Sequence, residues 1–279
     1  MFAPVDTRDL QAVEADVAAR WREMFGPDGG FVAAGFRMFA DSFDGRRWRR
    51  APLDVPYHDR EHTLQGTLGF GRLLHAWQRH AVAPVPDEAT ARLALLAILL
   101  HDTGYLKPEG DEDGTGAKYM PQHESRSVEF VHEVLPETGL TTAEIEAVGR
   151  MIWCTSLTAR VDNLGFRDER ELLAGCVVGT ADLLGQMAAA DYPEKLAALF
   201  VEFEESARRN GWSGGGAALQ TLAELRRGTP VFWEKLIWPR LNGPLRGVYR
   251  LLNDPWPDGP NEYLARINAN LVRLGEGSA

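Results

Sequence analysis

The stretch LLHDTGYL, residues 99–106, closes a run from Ala91 to Leu100 in which Arg92 is the only polar residue. Ten residues of that composition read as a helix entering the protein interior, and they deliver an imidazole, His101, and a carboxylate, Asp102, side by side. A buried carboxylate without a partner costs several kcal/mol, so it must protonate, meet a hydrogen-bonded cation or hold a metal. The rest of the chain has to supply that partner.

The 279 residues are 44% hydrophobic, ample for a real core, and no internal repeat or alternating strand pattern interrupts them. The expectation is an all-α single domain over 1–279, with its core at about 55–190, N-terminal helices in 1–54 and a C-terminal helical extension at 217–279. A net charge of −10 argues against a nucleic-acid partner, because phosphate backbones are held by clustered Lys and Arg. The one basic cluster, Arg46-Arg47-Trp48-Arg49-Arg50, reads as a solvated loop or helix end. No stretch approaches the roughly 20 apolar residues that span a bilayer, and MFAPVDTRDLQ lacks a basic segment followed by an apolar one. A soluble, cytoplasmic protein with no membrane partner is expected. Cys154 and Cys176 are too few for a disulfide framework and read as small core residues, Cys154 with a further role open as a neighbour of the site.

Along the chain, Asp6 or Thr7 is expected to cap a helix through about Met24, and a second helix follows over 31–43. From Val55 to His80, Pro56 suits a helix start and Leu64, Leu68, Leu73, Leu74 and Trp77 give an apolar face. Asp87 can cap the buried helix, and Lys107 to Tyr119 reads as an exposed loop able to cover a cleft. Helices recur over about 122–134, 142–155, 168–189 and 193–210, before a flexible break at Gly211–Gly216.

Four constellations carry chemistry. His58 and His62 are four apart in YHDREH, so on a helix they would share a face, as a metal pair or as two surface histidines. His101-Asp102 ends the apolar helix, where Asp is unfavourable at the negative pole of the dipole. The alternative is that Asp102 caps the turn at Gly104. Asp182 is a lone carboxylate within an apolar run from Leu172 to Met187, otherwise explained as an N-cap at a bend near Gly179. His123 heads an amphipathic helix. His62, His101, Asp102 and Asp182 form a His2Asp2 set suited to Mn, Fe, Zn or Co, with some tolerance for Mg.

The order H…HD…D, in YHDREHTLQG, LLHDTGY, HESRS and TADLLGQM, resembles the HD-domain superfamily of metal-dependent phosphohydrolases over roughly Val55 to Ala189, and its YHxxxH opening is similar to the cyclic-nucleotide phosphodiesterase branch. The resemblance implies an HD-domain helical bundle in which His62, His101, Asp102 and Asp182 hold a first metal and Asp102 bridges to a second, with one or two ions per chain. It implies that His58 protonates the leaving oxygen and that His123 serves the second ion. Where two-metal members offer a further histidine, this chain reads MIWCTSLT, leaving water, Glu124 or Cys154 to fill the place.

The expected reaction is therefore hydrolysis of a small phosphoester, a nucleotide or cyclic nucleotide among the options, by a water that the metal activates, with Asp102 and His58 as its catalytic residues. Arg60, Lys107, Lys118 and Arg126 flank the motifs and are the candidates to neutralise substrate charge. The acidic loop GDEDG lacks the ligand spacing of a calcium-binding EF-hand and reads as a solvated lid. Two rival functions are a di-iron oxygenase of a small alcohol or phosphonate, which needs a complete binuclear site, and a non-catalytic ligand-binding module. The C-terminal section shapes the pocket or forms a homodimer contact; the sequence supports either.

Overall fold

A computed structural model describes residues 2–211 and 221–276, and among these the chain is helical with no strand. The first helices, α1 (Leu10–Phe25) and α2 (Phe31–Phe43), lean on α3 (Arg60–Arg79) and α4 (Glu88–Leu100). Next come α5 (His123–Val134), α6 (Thr142–Ile152), α7 (Glu169–Met187) and α8 (Tyr192–Asn210). After the undescribed segment, α9 (Leu222–Phe232) runs through a π-helical turn into the short α10 (Trp238–Asn242), and α11 (Glu262–Glu276) closes the described chain.

Helix starts follow from side chains that bond otherwise unsatisfied N–H groups. Asp9, Asp59, Asp87 and Asp168 each accept from main-chain N–H groups in the first turn of α1, α3, α4 and α7, and Thr141 with Glu144 forms a reciprocal capping box for α6. Each such cap contributes about 1 kcal/mol. Two starts differ from expectation. Asp9 takes the place expected of Asp6 or Thr7, and α3 begins at Arg60 rather than Pro56, because Asp59 captures the His62 N–H at 2.9 Å. His58 therefore precedes the helix, and the shared helical face expected for His58 and His62 does not exist.

At the centre, α3 packs against α7, with α1 and α4 beside α3 and with α4, α6 and α11 beside α7. Nearly every residue of α3 from His62 to Trp77 is buried. The two helices come into backbone contact where a Cβ on Gly185 would lie 2.6 Å from the carbonyl oxygen of Gln65, so only glycine permits the approach. That closeness lets a ligand on α3 meet one on α7. Gly179 does not bend α7, which runs unbroken past it.

The same buried apolar cluster extends from Val13 to Leu274, so the C-terminal helices dock on the core; Asn270 also donates to the Met187 and Ala189 carbonyls at the end of α7. The arginines of the basic cluster pair with carboxylates of neighbouring segments, Arg46 with Asp41 and Asp44, Arg47 with Glu137, Arg49 with Glu109 and Arg50 with Glu133, which is the solvated loop expected of them. Of the break expected at Gly211–Gly216, only Gly211 lies within the described residues. No single helix among the described residues is long and apolar enough to cross a membrane.

Candidate metal centre

His62 comes from the first turn of α3, His101 and Asp102 from the corner after α4, and Asp182 from the middle of α7; all four side chains are buried. His62 Nε2 lies 3.1 Å from Asp102 Oδ2 and 3.2 Å from Asp182 Oδ1. His101 Nε2 lies 3.2 Å from Asp102 Oδ2 and 3.5 Å from Asp182 Oδ1. These separations are those of ion pairs, yet neither His101 Nε2 nor Asp102 Oδ2 has an aligned hydrogen-bond partner. Their lone pairs converge instead of pairing, which is how ligand atoms are disposed around an ion. The buried group His62, His101 and Asp102 could hold a metal ion.

The supporting contacts fix which atoms converge. His101 Nδ1 donates to the Ile98 carbonyl at 2.8 Å, which leaves Nε2 with its lone pair free, the tautomer a ligand needs. Asp182 is held by Gln186, whose Nε2 donates to Asp182 Oδ1 at 3.2 Å, and Gln186 Oε1 in turn accepts from the Tyr57 hydroxyl at 2.8 Å. Ser127 on α5 staples the His101-Asp102 corner, donating to the His101 carbonyl and accepting from the Gly104 N–H at 2.8 Å. A Cβ on Gly104 would sit 1.9 Å from the His123 carbonyl oxygen, so glycine is needed for α5 to approach. The Asp102 side chain does not cap the following turn.

Burial by itself would push the His62 pKa down, but the carboxylates of Asp102 and Asp182 facing its ring outweigh it and hold His62 up at about 9. His101 is likewise raised against the cost of burial by the same two carboxylates. Burial opposes ionisation of Asp102 and Asp182 too, and the facing imidazoles prevail, keeping both well below the usual carboxylate range. A cation at this point therefore suits the site, whether two protons or a metal.

Beside this cluster stands His58, ring centroid 5.1 Å from that of His62. Its Nδ1 meets Glu202 Oε2 at 2.5 Å, and Glu202 Oε1 accepts from the N–H groups of Tyr57 and His58 at 2.6 and 3.1 Å. Glu202 is buried on the inward side of α8. The Tyr105 ring stacks on His58 at 4.7 Å and on His123 at 4.8 Å, so His123 approaches the site without joining the four converging side chains. His123 Nδ1 bonds the Met120 carbonyl, and Glu124 Oε2 lies 3.3 Å away. Cys154 is not a neighbour of the cluster. Its thiol turns to the Arg150 carbonyl and against Gly175, two helical turns before Asp182, and burial raises its pKa.

The four flanking cations are all engaged within the protein. Arg60 pairs with Asp44, Lys107 with Asp54 and the Gly114 carbonyl, and Lys118 with Asp111. Arg126 donates to the carbonyls of Gly104 and Leu106 and stacks 3.6 Å over Tyr119. Contact with a substrate anion would require these partners to be exchanged. The segment 107–119 is not wholly exposed, since Lys107, Gly116 and Ala117 are buried; Thr115 bonds Glu205 and Arg209 pairs with Asp113, fastening it to α8.

Fold and site together define a helical protein with a buried histidine–aspartate cluster able to hold a metal ion. The family described as Npun_R2479-like matches residues 108–251, just over half of the 279, and the chain belongs to it. That description states no activity. None of the curated proteins compared matches the chain.

Sequence reasoning missed Glu202, Gln186 and Tyr105. For Glu202 a signal existed: it continues the inward stripe of Tyr192, Leu196 and Ser206 on α8, where a charged residue is out of place. Gln186 follows Asp182 by one turn, an ordinary spacing that only the structure gives meaning.

Proposed function

We propose that the protein is a metal-dependent phosphohydrolase acting on a small phosphoester, in keeping with its resemblance to HD-domain enzymes. The observation that carries this reading is the convergence of His62, His101, Asp102 and Asp182 beside His58, whose Nδ1 is bound to a buried carboxylate. Those four residues would hold the ion, with Mn, Fe, Zn, Co or Mg compatible with the donor set. Bound there, it would lower the pKa of a water and polarise a phosphoryl oxygen.

The chain's own residues would do the rest. Gln186, tied to Tyr57, sets the orientation of Asp182. Glu202 takes the Nδ1 proton of His58 as a hydrogen bond and leaves Nε2 to carry the mobile proton. As water adds to phosphorus and the bond to the leaving oxygen breaks, that oxygen takes the His58 Nε2 proton, and His58 regains one from solvent. Under this reading His123, with Glu124 beside it, would serve a second ion.

The test is elemental analysis of protein purified without chelator, wild type beside Asp182→Ala, followed by a phosphoester screen with the metal found. About one equivalent of a divalent ion, lost in the variant, together with turnover of a phosphoester, supports the proposal. Two equivalents of iron with oxygen consumption would replace it by the oxygenase, and no metal after reconstitution would overturn it.

A further inference from the structure

Arg240 is buried in the C-terminal section, 5% exposed, and has no carboxylate bonded to it among the described residues. Buried guanidinium groups are ordinarily matched to carboxylates, because an unmatched charge is costly away from water. Here the donors go to main-chain oxygens: Nη2 to Cys154 at 3.1 Å, and Nη1 to Leu157 at 3.3 Å and Ala159 at 3.2 Å. Nε has no partner. These carbonyls belong to the segment leaving α6.

That segment touches the helix that carries Asp182. The Cys154 carbonyl lies against α7 at Gly179, where a Cβ would be 2.3 Å from its oxygen, and Gly179 precedes Asp182 by one turn on the same side of the helix. The guanidinium is therefore one carbonyl removed from the turn that presents Asp182. Burial lowers its pKa; the two buried cysteines and then Asp182 and Glu124 act on it in the opposite sense. By contrast, Arg60, Lys107 and Lys118 are each matched to a carboxylate away from the four converging side chains.

A divalent ion would be neutralised by Asp102 and Asp182, and a protonated His58 by Glu202. Arg240 adds a fixed positive charge one carbonyl away from the turn that carries Asp182, in an interior where fields are weakly screened. We propose that Arg240, supplied by the C-terminal section, selects for an ionised phosphoester over a neutral substrate in this site. It does so through its field, since both terminal nitrogens donate to carbonyls. This rests on the phosphohydrolase reading, and Arg240 is a specificity residue that need not touch the substrate.

The experiment measures two affinities on Arg240→Gln and Arg240→Lys: that of the metal found in the wild type, and that of inorganic phosphate for the metal-loaded protein. A field effect moves the two in opposite directions. R240Q should bind phosphate about tenfold more weakly, the scale expected for losing a unit charge from a partly screened interior, and should bind the metal at least as tightly as the wild type. R240K should return both within about threefold. Weakening of both ligands in R240Q, or an unchanged phosphate affinity, overturns the proposal. Should R240Q not fold, R240K decides: lysine keeps the charge but presents its donors from one nitrogen in place of the two that reach these carbonyls, so a purely structural role weakens both ligands, whereas a charge role preserves both. Wild-type protein that takes up metal but neither binds phosphate nor hydrolyses a phosphoester overturns the phosphohydrolase reading itself. That result is distinct from wild type and R240Q binding phosphate alike, which overturns only the role of Arg240.

Discussion

His58 Nδ1 lies 2.5 Å from Oε2 of Glu202, a residue 144 positions further along the chain. The contact joins the loop before α3 to the middle of α8, and it fixes which ring nitrogen remains for chemistry. If His58 delivers the proton to the leaving group, His58→Ala should lower kcat by about 10²–10⁴-fold while the metal stays bound. Glu202→Gln, which keeps the shape but not the charge, should cost less, about tenfold to a hundredfold. Equal loss of metal in His58→Ala and Asp102→Ala would make His58 a ligand instead.

The Tyr57–Gln186–Asp182 chain should matter for the ion and not for the fold. Gln186→Ala is expected to weaken metal binding by about 10–100-fold, with Tyr57→Phe, which removes only the hydroxyl, at the lower end or below it. Isothermal titration of the chelated protein with the native metal measures both; an unchanged affinity in Gln186→Ala would show that Asp182 orients itself.

The raised His62 pKa has a pH signature. In the metal-free protein the folded state holds this proton up to about pH 9, whereas the unfolded chain releases it near 6.5. That stabilisation is fully present below pH 6.5 and is lost as pH rises towards 9. The depressed Asp102 and Asp182 act on the other side, with stability present above about pH 4 and lost as pH falls. Metal-free protein should therefore melt at its highest temperature between about pH 4 and 6.5. Metal competes for the same nitrogen, so its affinity should rise from pH 6.5 to 9, with proton release on binding that a pH electrode can count. A metal affinity flat over this range would contradict the assignment of His62.

The corner that presents His101 and Asp102 should be unforgiving. Gly104→Ala places a methyl group against the His123 carbonyl, and a clash with backbone is expected to cost about 3 kcal/mol or more. Ser127→Ala leaves the buried Gly104 N–H without its acceptor and should cost about 1–3 kcal/mol. Urea melts of the metal-free variants test both, and a loss below about 0.5 kcal/mol in either would mean that the corner relaxes easily.

Much of this was legible in the sequence because burial makes polar residues conspicuous. His101, Asp102 and Asp182 stood out within apolar runs, and the structure brings them together with His62. The all-α class followed from helical periodicity and caps such as Asp87 and Asp168. What stayed hidden depended on partners distant in the chain. Glu202 is one acid among several in an acidic helix; its place on the inward stripe marks it as buried, but nothing local names His58 as its partner. Arg240 lies in a section with no motif. The four flanking cations show the converse, since nearness in sequence to a motif does not tell that a charge already has partners within the protein.

One helix, α8, both holds His58 through Glu202 and fastens the 107–119 segment through Glu205 and Arg209. Glu202 and Glu205 are less than a turn apart. The two fastenings are thus mechanically linked: whatever pries the segment loose pulls on the same stretch of helix that keeps the His58 imidazole aligned, so a displaced segment and a misaligned ring would be two aspects of one movement.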